Sequence, residues 1–166
     1  MATAGLVVAY AGAACILAIG IFVVGMLRHE SGIIKAADES SAVGTLRTMN
    51  TAAVKYRSTY HNGFPPDQAA LGGTMPGTCN AASLVDDVLA VNGGAQKSGY
   101  VITYSAGAAL PTAAPGCGSA GAIAYAIHAN PTKRGETKQR SFFTDETGVI
   151  RASRDGVATR DSSPIE

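Results

Sequence analysis

The first 27 residues of this chain contain no charged side chain. From Ala2 to Leu27 the run is apolar or small, interrupted only by Thr3 and Tyr10. As a helix it would span roughly 39 Å at 1.5 Å per residue, longer than the ~30 Å hydrocarbon core of a bilayer. A charge at the bilayer centre costs several kcal/mol, so the complete absence of charge favours a membrane-embedded helix over a buried core helix. A removable secretory signal has a basic start and a shorter apolar stretch of ~7–15 residues. This segment has neither, and it reads as retained. Gly5, Ala9 and Ala13 lie four apart, a row of small residues that lets helices approach closely, and Gly12, Gly20 and Gly25 add further room. Arg28 and Lys35 follow the segment and by themselves would hold the remainder on the cytoplasmic side, a signal diluted by His29, Glu30, Asp38 and Glu39.

From Arg28 the composition becomes that of an ordinary soluble domain, and about 140 residues are enough to bury a core of their own. The net charge of +1 gives no general attraction to nucleic acid or to an anionic surface. Residues 28–60 read as one amphipathic helix with no proline before Pro65. Val43, Leu46, Met49, Ala53, Tyr56 and Tyr60 recur at spacings of three and four, with Arg47, Lys55 and Arg57 between them. The apolar stripe needs a cover, and the downstream residues are its natural source. The cluster His61 to Asp67 (HNGFPPD) is a terminator and turn.

Beyond it the pattern shortens. Asp67 to Leu71 predicts a brief helical turn, and Ala81 to Val91 places Leu84, Val85, Val88 and Leu89 at helical spacing, predicting a second short helix. Gly99 to Ser105 and Ala122 to Ala129 alternate as strands. Ser141 to Ala152 predicts a hairpin turning at Asp145-Glu146-Thr147-Gly148. Residues 106–121, rich in Gly, Pro and Ala, predict a loop, and Ser153 to Glu166 predicts a loose polar tail with Val157 its one apolar anchor. A long helix followed by strands is the order of an α+β fold with an antiparallel sheet.

Of the cysteines, Cys15 lies in the apolar run, whereas Cys79 and Cys117 fall in loops of the later domain. An even pair in loops suggests a disulfide if that domain meets an oxidising compartment, the other reading being two unrelated thiols. A bond closing a loop of that size would stabilise the domain by about 4 kcal/mol in the chain-entropy model. It also argues for placing the domain outside the cytoplasm, against the charges that follow the apolar run.

The stretch Glu39 to Ala52 (ESSAVGTLRTMNTA), together with Gly63-Phe64-Pro65-Pro66-Asp67, Ser98-Gly99-Tyr100 and Arg140 to Arg151 (RSFFTDETGVIR), resembles the type IV pilins and the pseudopilins of type II secretion. The resemblance covers roughly residues 33–165. It implies residues 1–27 as a transmembrane and filament-core half-helix, and residues 28–166 as an amphipathic half-helix plus an exported α+β pilin-like head. It further implies a structural subunit of a helical homo-oligomeric filament, handled by inner-membrane assembly machinery. Such a subunit would be anchored in the inner membrane with its head in the periplasm and later displayed on the cell surface. Gly5, Ala9, Gly12, Ala13 and Gly20 would then serve helix packing in the assembly. The glutamate that such proteins carry at their fifth position is missing: Gly5 stands there, or Ala11 when the chain is aligned from Ser41-Ala42-Val43-Gly44. A filament without that charge pair is held by packing alone, unless the chain is a minor tip subunit or does not polymerise. The alternative function is a membrane-anchored or tip-located binding module contacting a surface, cargo or DNA.

The residues suggest no enzyme and no cofactor. His29, His61 and His128 are scattered, without the spacing of a zinc site. Gly72-Gly73 and Gly93-Gly94 lack the Lys-Ser/Thr of a phosphate loop, and there is no G-x-S-x-G. Asp38-Glu39 and Asp86-Asp87 read as solvated helix faces. The basic run Lys133 to Arg140 reads as a loop that keeps a hairpin edge soluble, and nucleic-acid binding is not expected of it.

Overall fold

The computed structural model describes residues 33–133 and 139–165. The chain divides into Met1–Ala37 and Asp38–Glu166, and of the first part only 33–37 is described, a helical stretch with Ile33 and Ile34 exposed. Helix α1 occupies residues 33–60 and ends where the turn cluster was expected, with His61 in the left-handed region (φ 51°). A single 3-10 turn, Ala69–Leu71, matches the expected brief helical turn.

Six strands follow: β1 (Ala95–Lys97), β2 (Tyr100–Ala106), β3 (Tyr125–Pro131), β4 (Ser141–Asp145), β5 (Arg151–Ser153) and β6 (Ser163–Pro164). They form one sheet in sequence order, every neighbouring pair antiparallel. The protein is therefore α+β. Strand β1 was not anticipated, because Ala95-Gln96-Lys97 has no strand-forming composition. Its signal lies in the turn: Lys97 pairs with Tyr100 across Ser98 and Gly99, both at positive φ, as a two-residue hairpin turn of the right twist requires. Strand β3 begins at Tyr125 rather than Ala122, because Ala122 is bridged instead to Phe64 and Ala109.

The core lies between residues 38–60 of α1 and the inner face of the sheet. Leu46, Met49, Ala53 and Tyr56 are all fully buried, against Tyr100, Ile102, Ile127, Ala129 and Phe142. Alternation along β3 explains the sheet's contribution: Tyr125, Ile127 and Ala129 are buried and face inward, with Ala126 and His128 between them on the other face. A buried amide on the helix bonds to the sheet twice in the core. Asn50 Nδ2 donates to Thr144 Oγ1 at 2.8 Å, and Tyr125 OH donates to Asn50 Oδ1 at 2.9 Å, so the buried amide is satisfied at both ends. Near the start of the described helix, Glu39 accepts from Arg140 twice, from the backbone N–H and from Nε, each at 2.9 Å. The guanidinium of Arg140 also lies over Phe142, 5.3 Å from the ring centre.

Two expectations fail here for physical reasons. Residues 81–91 form no helix. The amides of Ala82, Ser83, Leu84 and Val85 donate to the carbonyls of Ala70, Gly72 and Leu71, which removes them from any helical ladder. Ser83 sits at φ 51°, and Val88 is 63% exposed although the helical reading placed it on an apolar face. Nor is the C-terminal segment loose. Ser141 Oγ donates to Gly156 O and accepts from Ala158 N at 2.8 Å, Arg160 Nε meets Asp145 at 2.8 Å, and Ile165 N donates to Ile150 O at 2.9 Å. The anchor is Ala158, fully buried, and not Val157, which is 49% exposed. This cover explains why β4 is buried on both faces, with Phe142 turned to α1 and Phe143 under the C-terminal segment.

The expected location is also corrected. Among the described residues no helix is long and apolar enough to cross a membrane. Helix α1 carries Lys35, Asp38, Glu39, Arg47, Lys55 and Arg57 and is amphipathic, the pattern of a helix with one side on a core. The placement as an inner-membrane anchor with a periplasmic and later surface-exposed head is therefore not supported by what is described. The apolar run 1–27, on which that expectation rested, lies outside the described residues.

Substituting Leu46→Ala should lower the unfolding free energy by about 2–5 kcal/mol, as large-to-small core changes do. Val54→Ala on the open side of the same helix should stay within about 0.5 kcal/mol. Chemical denaturation of the two variants checks this, and equal effects would show that the stripe is not the centre of the core.

Candidate functional site

Cys79 and Cys117 form a disulfide, with Cα atoms 5.5 Å apart. It joins the loop after the 3-10 turn to the 106–121 loop. Tyr56 OH donates to Cys79 O at 2.7 Å, which ties α1 to the same junction. Asn62 adds a second fastening: its Nδ2 donates to Ser119 O, and its Oδ1 accepts from Ala114 N, both at 2.9 Å. The turn bearing Asn62 crosses residues 121–122 so closely that a Cβ on Gly63 (φ 73°) would stand 2.6 Å from Ala122 O. The long loop is therefore fixed in place by covalent and polar contacts. The other residues expected to function in assembly, Gly5, Ala9, Gly12, Ala13 and Gly20, lie outside the described residues.

Residues considered for chemistry are dispersed. Among the described residues no group of three or more His, Cys, Asp or Glu stands together to hold a metal. His61 caps α1, and His128 sits on β3 with its ring edge-on to Phe143, centroids 5.1 Å apart. Glu39 is not a free solvated charge, since Arg140 takes it, and Asp38 accepts from Gln139 at 3.3 Å. In the basic run, Arg140 is occupied by Glu39 and Phe142, and residues 134–138 are outside the described set.

What the head does present is the outward side of α1. Arg47, Thr48, Thr51, Val54, Lys55 and Ser58 are exposed along it. Thr48 and Thr51 fold their hydroxyls back onto the carbonyls of Gly44 and Arg47. Gly44 has nothing within 4 Å of where a Cβ would stand, so the head itself does not require a glycine there. Such a residue costs a helix about 1 kcal/mol relative to alanine. Between this side of α1 and the β4–β5 turn lies an open groove of about 760 Å³, walled by Arg47, Val54 and Lys55 on one side and Glu146, Thr147 and Gly148 on the other. Tyr125 forms part of its floor. Burial, and then the charges of Asp145 and Glu146, push the Tyr125 hydroxyl up to about 12, so it stays protonated and donates to Asn50. The far wall is held rigid by Arg160, which meets Asp145 and Glu146 at 2.8 Å each, and by Asp145 Oδ1, which accepts from Thr147 N at 3.0 Å. Arg47 and Lys55 have no ion pair among the described residues. Sequence reading had marked these two as solvated spacers of the apolar stripe. Their position across from Glu146, Thr147 and Gly148, far later in the chain, was not legible, since it depends on the sheet bringing β4 beside the helix.

Compared with known protein families, characterised proteins and solved structures, the chain matches none of them.

Two titrating groups on the outer face of the sheet give the head a pH dependence. Burial holds His128 below its ordinary 6.5, with the Ala158 backbone working weakly the other way. For Asp145, burial alone would raise the carboxyl. The hydrogen bonds from Thr147 and the charge of Arg160 outweigh it and hold the group below its ordinary value. Both groups bind protons less readily folded than unfolded, so their share of stability is present above the unfolded values and is lost as pH falls through the folded ones. The thermal midpoint should therefore drop between about pH 7 and pH 5, where the unfolded histidine takes up its proton. His128→Phe should flatten this interval and leave the later fall from carboxylate protonation. A wild-type midpoint that does not change across the interval would contradict the assignment.

Proposed function

We propose that this chain is a structural subunit of a pilin-like filament, assembled through its apolar N-terminal segment with the α+β head as the outer shell. The observation that carries the reading is the division of α1. One side of its 38–60 stretch is buried on an antiparallel sheet, while the other stays open and polar, in sequence continuity with a 27-residue uncharged run. A long apolar run must be covered, and copies of the same run are the cover that a helical assembly supplies. Support also comes from the resemblance at residues 39–52, 63–67 and 140–151. These segments form the buried stripe of α1, the helix-ending turn and the β4–β5 hairpin, the parts that join helix to sheet. With no fifth-position glutamate, register along the filament would come from side-chain packing rather than from a charge pair in its interior.

Purified full-length protein, freed of detergent and viewed by negative stain, should form filaments of uniform width. Ile16→Lys should abolish them, because a lysine among packed apolar helices is left without a partner. The unfolding midpoint of the head should stay unchanged. A monodisperse wild-type protein, or filaments indifferent to Ile16→Lys, would refute the proposal.

A further inference from the structure

The groove beside α1 has two cations without an ion pair among the described residues, and the head carries a matching projection elsewhere. Asp86, Asp87 and Val88 form an exposed turn, with Val88 63% exposed. Asp87 is engaged through Oδ1 with Gly73 N at 3.2 Å, whereas Asp86 has no ion pair among the described residues. The groove offers the complement: Arg47 and Lys55 for an acidic side chain and Val54, 55% exposed, for an apolar one. Arg160 is shared between Glu146 and Asp145, so the far wall keeps one net negative charge, and against it the two positive charges of Arg47 and Lys55 leave the groove positive by one.

The two cations and Asp86 lie in different hollows of one head. Arg47 and Lys55 line both the groove and, with Thr48, Ser83 and Leu84, a neighbouring hollow, which the hollow of Asp86 and Asp87 adjoins at Thr48, Ser83 and Leu84. Within one molecule Asp86 pairs with neither Arg47 nor Lys55. Two different surfaces of one head that complement each other across copies generate a head-to-tail contact, which propagates as an open chain unless its rotation closes a ring. We infer that the Asp86–Val88 turn of one copy seats in the groove between α1 and the β4–β5 turn of the next, Asp86 against Arg47 and Lys55 and Val88 against Val54. The inference deepens the filament reading and rests on it, by naming the head-to-head contact that would set register in place of a buried charge pair. Lys97 lines the hollow beside Asp86 and Asp87 and is the one cation there that would compete for them.

A charge exchange tests it in the full-length protein. The double variant Arg47→Glu with Lys55→Glu, and separately Asp86→Lys, should each raise the concentration needed for half the protein to sediment by about tenfold, the scale of a few exposed ion pairs. Mixed in equal amounts, the two should return to within about twofold of wild type, because acidic groove meets lysine turn and basic groove meets acidic turn in alternation. Loss without rescue, or no loss in either variant, overturns the contact. A second measurement separates this from the filament reading itself. Copies carrying Lys55→Cys and copies carrying Asp86→Cys, both with Cys15→Ala, are mixed and treated with a short bis-maleimide. A cross-linked dimer formed only in the mixture supports the contact, and if wild type makes no filaments it does so while removing the filament reading. Filaments with no such dimer leave that reading in place and remove the contact.

Discussion

The packing of α1 on the inner face of the sheet is the interaction on which the remaining features depend. It is built from a stripe at helical period, Leu46, Met49, Ala53 and Tyr56, meeting residues at strand period, Ile102, Ile127 and Phe142. Neither element would persist alone. A helix with an apolar stripe draws most of its stability from packing that face, and a small meander without a covered face has little to hold it together. Asn50 makes the pairing specific. Its amide reaches Thr144 and Tyr125 only when the helix sits at one height on the sheet, and a shift would strand three buried polar groups. Glu39 with Arg140 and Tyr56 with the Cys79 loop then fasten the helix at two further levels.

Fixing one side of the helix determines what the other side offers. The same α1 that closes the core displays Arg47, Val54 and Lys55, held opposite a turn stiffened by Arg160. The proposed filament uses both consequences: a rigid head on a defined helix face, and a surface whose charges are not neutralised within the molecule. The disulfide contributes at a different place, joining the loops at the end of α1 where regular hydrogen bonding is sparse.

The stripe on α1, the helix end at residues 60–61, the strands at 100–106 and 141–153 and the disulfide were all legible in the sequence, because each depends on local period, turn chemistry or residue type. Three features were not. Ala81 to Val91 has helical spacing, but its amides are drawn to the carbonyls at 70–72, a tertiary competition that spacing does not reveal. The C-terminal segment looks polar, yet its order comes from one serine, Ser141, bonded to Gly156 and Ala158, and from Arg160 reaching two acids. Strand β1 is too short and too polar to announce itself except through Ser98-Gly99. The candidate groove lay beyond sequence reading for the same reason as these. Its walls come from residues 47–58 and 146–148, and only the strand order brings them together.

Residue-resolved hydrogen exchange of the dispersed full-length protein tests the shared core most directly. Amides from Leu46 to Tyr56 should open with the same free energy as those of Ala126 to Asn130, because helix and sheet can expose their common interface only together. If the helix amides exchanged tenfold or more faster while β3 stayed protected, the helix would be an appendage to an independently stable sheet, and the account of how its outer face is held would fail.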